Sequence, residues 1–450
     1  MPRVPPDLAH AAPRTRLLHE GIDARIRARG VAVLHPDDDT ILHDLFGAEP
    51  MVAWQEGKAA DAMLQERCWS ELPTVYARYG TDEGRALIRR LRALYAAEAV
   101  VVTDCGAQAV ALPLDALLKR GDHAVLARQI YGKSRTFLEW TMQRLEGSVT
   151  IVDHVDAAAL EEAVRPDTRV VLSETFSNPL TRALDPDAVG EAVVRLRERR
   201  APGLRHVVDD TIATPWGPAR PLLDRPGIDV VVGAGTKAVS GQDRDTFGYI
   251  ASNRVPLMNE VMDLQAMRGG TLSWRSAGVL LQGLDEAADL HARRCDNAVA
   301  VAAFLAGRPD VEEVHHPSRP DHPDADVVAR AYARPGSLVS FKVRDLDEDG
   351  TLHLCNVIAM TVVWRYALSF DGLVSKVNHH RTVSEHFTPA PRLRRQGIDR
   401  VVRLGCGVEE ADDLITALGW ALDHHRELTA EDVLAWRRAR SADLRLSAGA

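Results

Sequence analysis

The sequence predicts an α/β protein: a mostly parallel, doubly wound sheet with helices on both faces, followed by a smaller C-terminal α+β unit. Two observations predict this architecture. Short apolar runs alternate with amphipathic helical patterns from about residue 80 to residue 232. A long helical pattern at 276–305 then leads into a remainder with strand patterns at 338–343 and 400–404 and a helical pattern at 409–424.

Each predicted strand of the alternating region is a short, largely apolar run, which is typical of a strand buried on both faces. In chain order these runs cover residues 99–103, 123–127, 149–152, 169–173, 206–208 and 230–232. The helical patterns before and between them cover residues 83–95, 107–119, 134–145, 157–164 and 187–200. Ligands of such sheets bind at the carboxyl ends of the strands, so we expect the chemistry in the loops after residues 103, 127, 173, 208 and 232.

The same patterns predict the domain organisation. Residues 1–75 show no sustained hydrophobic period and include irregular acidic stretches, so we predict an N-terminal arm that contributes to dimer contacts. Residues 76–260 are predicted to form a large domain that holds the site, and residues 261–450 a C-terminal domain.

Composition excludes several classes of function. The 450 residues are 46% hydrophobic and carry a net charge of −9 from 55 basic and 64 acidic residues, mixed along the chain, which disfavours nucleic-acid binding. No apolar run reaches 18 residues and the first 16 residues lack a signal peptide's apolar stretch, so we expect a cytoplasmic protein without membrane contact. The five cysteines lie far apart without a CxxC pair, so no metal site is predicted.

Three of the loops carry candidates for ligand contacts. Gly106 and Ala107 open a helix after the first strand, where free backbone N–H groups favour an anion such as a phosphate, although a simple tight turn is the commoner explanation. Tyr131 could stack on a flat ligand or be a structural tyrosine. The Asn178 amide could donate to a ligand oxygen or only make the turn.

The last two loops carry charged groups. Asp209 and Asp210 end an apolar strand, and a buried carboxylate there needs a partner such as a protonated ring nitrogen. Lys237 ends the segment Gly-Ala-Gly-Thr-Lys, which lacks the glycines of a Walker A loop or a dinucleotide fingerprint. A lysine in a desolvated cleft becomes a nucleophile towards aldehydes, whereas a solvated loop lysine would carry no chemistry.

Three longer motifs share one resemblance. Residues 173–180 read SETFSNPL, residues 208–215 read VDDTIATP, and residues 403–409 read RLGCGVE. Together with Lys237 they resemble the ETPSNP, VDNTFATP and RxSxGxE blocks and the Schiff-base lysine of the Cys/Met metabolism enzymes that use pyridoxal 5′-phosphate. That group includes cystathionine γ-synthase, cystathionine γ-lyase and methionine γ-lyase, and the resemblance runs from about residue 76 to residue 425. It implies the transferase fold called fold type I.

The resemblance implies roles for individual residues. Lys237 would hold pyridoxal phosphate as a Schiff base and act as the main acid and base, and Tyr131 would stack on the ring and assist departure of the leaving group. Asp209 would pair with the ring nitrogen. Further cofactor contacts would come from Gly106, Ala107, Asn178 and Thr236, and from Tyr76 and Arg78 of a neighbouring subunit. Arg403 and Ser369 would bind the substrate carboxylate, Arg403 through a bidentate fork.

Departures from the family pattern bear on the substrate. Ala234 replaces a usual phosphate-binding serine, Asp104 replaces a small hydroxyl residue, and Lys133 follows Tyr131 where a small residue is usual. Lys133 could bind an unusual leaving group or be a solvated lysine on the rim. We therefore predict γ-elimination or γ-replacement on a non-standard amino acid of specialised metabolism, with housekeeping transsulfuration or methionine γ-lyase activity as the alternative.

The sequence leaves two alternative functions open. One is a catalytically inactive member of the fold that only binds, and the other is an unrelated NAD- or nucleotide-binding enzyme. The resemblance implies a homodimer or a homotetramer, and the sequence does not separate elimination from replacement or reaction at Cβ from reaction at Cγ.

Overall fold

The computed structural model describes residues 48–64, 68–72 and 74–443. Most of the predicted N-terminal arm, residues 1–47, lies outside the described residues. The described part of the arm contains a helix that the sequence patterns did not predict, α1 (Glu49–Leu64), and a short 3₁₀ turn at Trp69–Glu71. Lys58 on α1 forms a 2.7 Å ion pair with Asp263, and this contact ties the helix to the body of the protein.

The first sheet has seven strands in the order β1-β7-β6-β5-β4-β2-β3. These strands are β1 (Ala99–Thr103), β2 (His123–Ala127), β3 (Ser148–Val152), β4 (Thr168–Glu174), β5 (Arg205–Asp209), β6 (Val230–Gly233) and β7 (Gly248–Ser252). Strands β2 to β6 pair in parallel, whereas β7 is antiparallel to both β1 and β6. The predicted mostly parallel sheet is confirmed, and β7 is an additional strand.

Helices cover both faces of this sheet. They are α2 (Asp82–Tyr95), α3 (Gly106–Leu117), α4 (Gly132–Arg144), α5 (Ala157–Ala163), α6 (Pro186–Arg199) and α7 (Val255–Arg268). Adjacent residues of a strand point to opposite faces. Accordingly, Val208 packs into the core that contains Leu87 and Leu91, and Val207 packs into the core that contains Leu112 and Leu114. Burial on both faces explains the continuous apolar runs of these strands.

The long helix α8 (Trp274–Ala306) leads from the first sheet to the second. The second sheet has the order β10-β11-β12-β9-β8. Its strands are β8 (Val311–His315), β9 (Leu338–Val343), β10 (Arg365–Tyr366), β11 (Lys376–His379) and β12 (Val402–Gly405). Its helices and those of its connections are α9 (Ala325–Ala331), α10 (Glu348–Met360), α11 (His380–Ser384), α12 (Ala390–Gln396), α13 (Ala411–His424) and α14 (Ala430–Asp443). The predicted smaller α+β unit is therefore confirmed.

The division of the chain at residue 260 stays a prediction, since α7 spans that position and packs on the core of the first sheet. Within residues 48–64, 68–72 and 74–443, no helix combines the length and apolar character that crossing a bilayer requires. In the same part of the chain, no three His, Cys, Asp or Glu side chains converge as metal ligands.

Candidate active site

A cavity of about 360 Å³ lies at the carboxyl edge of the first sheet, where the second unit packs against it. The loops after β1, β2, β4, β5 and β6 all contribute to its wall, as the doubly wound topology predicts. The predicted residues on the wall are Gly106, Ala107, Tyr131, Asn178, Asp209, Thr236, Lys237, Ser369 and Arg403.

Lys237 lies four residues after the end of β6, and its side chain forms part of the cavity wall. Its Nζ donates a 2.6 Å hydrogen bond to the Ser369 hydroxyl and lies 5.3 Å from the centre of the Phe370 ring. Burial lowers the pKa of the Lys237 amine from its usual range, and the positive charges of Lys376 and Arg403 act in the same direction. A lower pKa raises the fraction of neutral, nucleophilic amine at neutral pH.

Asp209 ends β5 and is held by a short hydrogen-bonded chain. Its Oδ1 accepts from the backbone N–H of Thr211 at 3.0 Å and from the Thr211 hydroxyl at 2.5 Å, and that hydroxyl accepts from the Ala234 N–H at 2.8 Å. Burial raises the pKa of the Asp209 carboxyl, while the Thr211 contacts oppose that shift. Among the described residues no hydrogen-bond donor reaches Oδ2, so this oxygen is available to a ligand in the cavity.

Asp210, the neighbouring carboxylate, has a different environment. It is fully buried and does not line the cavity; the Tyr95 hydroxyl donates to it at 3.3 Å and also contacts the Tyr249 hydroxyl at 2.7 Å. Burial raises the pKa of Asp210 well above its usual range, and the carboxyl has no face on the cavity. Asp209 is therefore the carboxylate that can serve a ligand.

The start of α3 forms a narrow cradle beside the loop that follows β6. A Cβ on Gly106 would lie 2.4 Å from the Ala234 Cβ, so only glycine permits this approach. The first N–H groups of the helix have no helical acceptor and form an anion site with the positive helix end. The Thr236 hydroxyl donates to the Phe247 carbonyl at 3.1 Å and accepts from the Phe247 N–H at 3.0 Å, so its proton is already engaged.

Asn178 and Arg403 meet on another wall. An Arg403 Nη donates to the Asn178 side-chain oxygen at 3.1 Å, which leaves the Asn178 amide N–H groups as donors. Arg403 is buried, and burial lowers the pKa of its guanidinium to about 10. Its Nε is buried without a hydrogen-bond partner among the described residues. A buried guanidinium with an unused donor is suited to binding a carboxylate.

Glu174, which belongs to the motif SETFSNPL but has no predicted role, also lines the cavity. Its Oε1 accepts from the Tyr131 backbone N–H at 2.8 Å, and it pairs in register with Asp209 across strands β4 and β5. Burial and the nearby charge of Asp209 raise the pKa of Glu174 well above its usual range. Glu174 could have been predicted as a site residue, because it is an acidic residue at the C-terminal end of β4, the strand next to the one that ends in Asp209.

Other lining residues were also missed. Thr211 carries a usable signal, since an Asp side chain often bonds to the backbone two residues later. The wall also includes Ala234. Its remaining residues, which no local pattern distinguishes from ordinary packing residues, are Val110, Ser134, Phe176, Ile212, Leu368, Phe370 and Ser384.

Three predicted residues lie outside the cavity. Tyr76 and Arg78 line a separate surface depression, in which the Arg78 guanidinium lies 5.1 Å from the Tyr76 ring centre and 5.6 Å from that of Tyr79. Lys133 is exposed in the first turn of α4 and does not line the cavity. A role for Lys133 towards the substrate stays a prediction without support from this geometry.

Comparison with known proteins gives relatives over most of the chain. The family model "Cys/Met metabolism PLP-dependent enzyme" matches residues 58–423. An O-succinylhomoserine sulfhydrylase of Mycobacterium tuberculosis is 32% identical over 77% of this chain and 84% of its own length. An L-methionine gamma-lyase of Porphyromonas gingivalis is 28% identical over 78% of this chain and 85% of its own length.

Solved structures agree with this assignment. The crystal structure of metB from Corynebacterium glutamicum superimposes with a TM-score of 0.71 at 25% identity, over 79% of this chain and 88% of that one. The predicted fold type I is thereby confirmed, and with it the suspected family and its cofactor, pyridoxal 5′-phosphate. This chain belongs to the Cys/Met metabolism PLP-dependent enzymes.

Proposed function

We propose that the chain catalyses γ-elimination or γ-replacement on an amino acid, with Lys237 carrying the cofactor and moving the protons. The observation that carries this proposal is that Lys237, Asp209, Asn178 and Arg403 line the wall of one cavity at the carboxyl edge of the sheet. The same grouping makes an inactive binding protein or an NAD-binding enzyme a poorer explanation.

The groups around the cavity match the chemistry of pyridoxal phosphate. The cradle at Gly106 and Ala107 supplies N–H donors for a phosphate, and the open Oδ2 of Asp209 suits a protonated ring nitrogen. The Asn178 amide supplies donors for a phenolic oxygen, and the half-exposed Tyr131 ring offers a face for stacking. The engaged Thr236 hydroxyl is a weaker candidate for the phosphate than the sequence indicated.

The bound cofactor supplies an electron sink that weakens the bonds at the substrate Cα. In our proposal the Lys237 amine, freed when the amino group of the substrate takes its place on the cofactor, would remove the Cα proton and then transfer a proton at Cβ, which its lowered pKa favours. Asp209 would pair with a protonated ring nitrogen. Arg403 holds the substrate carboxylate and Ser369 lies beside it, and Tyr131 assists departure of the γ substituent.

The relatives separate two outcomes of this chemistry. A sulfhydrylase and a cystathionine gamma-synthase are named for joining two molecules, whereas a methionine gamma-lyase is named for elimination. These names favour a housekeeping type of reaction. A non-standard substrate is the finer proposal. It rests on the departures at Ala234, Asp104 and Lys133, and Lys133 gives it no geometric support because this residue does not line the cavity.

We further propose a cytoplasmic homodimer or a tetramer of two dimers. Tyr76 and Arg78 lie outside the cavity of their own chain, which supports a role at a neighbouring subunit. Sedimentation equilibrium measures the assembly state. Mixing subunits of Arg78→Ala with subunits of Lys237→Ala tests sharing, because restored activity requires that sites form between chains, and no restoration contradicts it.

A substrate panel tests the reaction. The purified holoenzyme is incubated with methionine, homocysteine, O-acyl-homoserines and γ-halogenated amino acids, with and without an added thiol, and products are identified by mass spectrometry. Keto acid and ammonia formed without a thiol support elimination, and a new thioether formed only with a thiol supports replacement. Binding of the cofactor without turnover of any of these amino acids would contradict the proposal.

A further inference from the structure

A buried ion pair lies behind the cavity without lining it. Arg294 on α8 and Asp371 in the loop after Ser369 have fully buried side chains, and Arg294 Nε lies 3.5 Å from Asp371 Oδ1. A buried pair of this kind is weak evidence for stability, because the desolvation of both charges offsets their attraction. Its position therefore needs another explanation.

Arg294 joins the two loops that bring Lys237 and Ser369 together. Its Nε donates to the Gly372 carbonyl at 2.8 Å, three residues after Ser369, and an Nη donates to the Gly241 carbonyl at 2.9 Å, four residues after Lys237. The planar guanidinium can reach both carbonyls because its N–H donors have a fixed geometry. One side chain thus holds both sides of the Lys237–Ser369 hydrogen bond.

Other contacts make the same junction rigid. Asp243, which follows the Lys237 loop, accepts from the Leu373 N–H at 2.6 Å, and the Lys376 amine donates to the Asp371 carbonyl. Asp371 itself has a φ of +63°, a conformation that is costly for a residue with a side chain. The surrounding bonds hold Asp371 in this conformation, which is typical of a site under functional constraint.

We infer that Arg294, paired with Asp371, is a positioning residue that holds the Ser369 loop against the Lys237 loop and so fixes the charge and the place of the Lys237 amine. The inference rests on the proposed role of Lys237. The charged groups that act on this amine are Asp371, Asp243 and Asp209 on the acidic side and Lys376 and Arg403 on the basic side.

Charge removal tests the pair. The visible absorbance of the bound cofactor is titrated with pH, and the pH at the midpoint of its change, called the transition, is compared among the variants. Asp371→Asn removes a negative charge, so the transition should move to lower pH by on the order of one unit. Arg294→Gln leaves the negative charge of Asp371 without its partner, so the transition should move to higher pH. The double variant should return close to the wild-type value. Shifts in one common direction, or no shift in either single variant, would overturn the inference.

Two further variants separate positioning from stability. Arg294→Lys keeps the charge but cannot reach both carbonyls, so we expect an unshifted transition with kcat/KM lowered about tenfold; wild-type kcat/KM would overturn the inference. Asp229→Asn is the matched control, since Asp229 is equally buried and paired with Arg197 and Arg254 but lies before β6, at the opposite edge of the sheet. It should lower the melting temperature without moving the transition, and a comparable shift would overturn the inference.

The wild-type protein separates this inference from the proposed function. If the wild type has no cofactor absorbance that depends on Lys237, the proposed function fails. If that absorbance is present and the Arg294 and Asp371 variants leave it unchanged, only the present inference fails.

Discussion

The Lys237 amine donates a 2.6 Å hydrogen bond to the Ser369 hydroxyl, although 132 positions separate the two residues in the sequence. Lys237 follows a strand of the first sheet, and Ser369 lies in a loop of the second unit, before β11. The candidate site is therefore complete only where the two units pack together. Substitutions that disturb this packing should affect the site even when they lie outside the cavity.

The two adjacent carboxyls at the end of β5 should respond differently to the same substitution. Asp209→Asn removes the partner of the ring nitrogen, so we expect kcat to fall about a hundredfold to a thousandfold, the range for losing one preorganised electrostatic contact. Asp210→Asn changes a carboxyl that is buried against Tyr95 and does not line the cavity, so kcat should change less than about threefold. Steady-state kinetics of the two variants, side by side, check this. Equal losses in both would contradict the assignment.

Arg403→Lys should weaken substrate binding. Lysine cannot reproduce the fork of the guanidinium, and a hydrogen bond between charged groups contributes about 1.5–3 kcal/mol, so KM should rise about tenfold to a hundredfold. The absorbance of the bound cofactor should stay as in the wild type. An unchanged KM would show that the substrate carboxylate binds elsewhere.

Gly106→Ala should loosen the phosphate cradle. The added Cβ would lie 2.4 Å from the Ala234 Cβ, and such overpacking costs about 1–3 kcal/mol, so cofactor affinity should fall about fivefold to a hundredfold. Gly132→Ala is the control, because its nearest neighbour, the Ser384 carbonyl, is 3.7 Å away. Equilibrium titration of the apoprotein with pyridoxal phosphate measures both. Equal affinities for the two variants would contradict the cradle.

Stability should fall in mild acid because several histidines are buried in their neutral form. Burial lowers the pKa of His206 to about 3 and the pKa of His123, His291 and His316 to about 4. The unfolded chain binds these protons near pH 6.5, so the stability they contribute is present above that pH and is lost as the pH falls towards the folded-state values. Each histidine contributes a slope of about 1.4 kcal/mol per pH unit in that window.

His206→Gln isolates one of these contributions from those of buried carboxyls such as Asp210 and Glu174, whose raised pKa values act in the opposite direction. Urea unfolding between about pH 6.5 and about pH 4 should give a slope that is shallower by about 1.4 kcal/mol per pH unit in the variant. Parallel curves for variant and wild type would show that His206 is protonated in the folded state.

The strands that are buried on both faces were predictable, because burial imposes a continuous apolar run on each of them. β7 was not predicted, since the segment Gly248–Ser252 begins with glycine and runs antiparallel, outside the alternation that revealed its neighbours. In the second unit β8 is mostly half-buried and β10 spans only two residues, so neither carries a strong hydrophobic pattern.

The residues of the candidate site also fall into those that the sequence patterns predicted and those that they did not. Its first-sheet residues, such as Asp209 and Lys237, follow predicted strands, so topology alone placed them at one edge. Ser369 and Arg403 were identified only by resemblance to a family. The Lys237–Phe370 contact and the hydrogen bond from Arg294 to the Gly241 carbonyl were not predicted. Both arise from packing between the two units, which the hydrophobic period of a single segment does not show.

The most direct test of the account locates the covalent attachment of the cofactor. The holoenzyme is treated with borohydride, digested, and mapped by mass spectrometry, with Lys237→Ala as the control. We predict that the pyridoxyl phosphate mass is found on the peptide that contains Lys237 and is absent from the variant. Attachment to another lysine, or none in a protein that has bound the cofactor, would contradict the central claim.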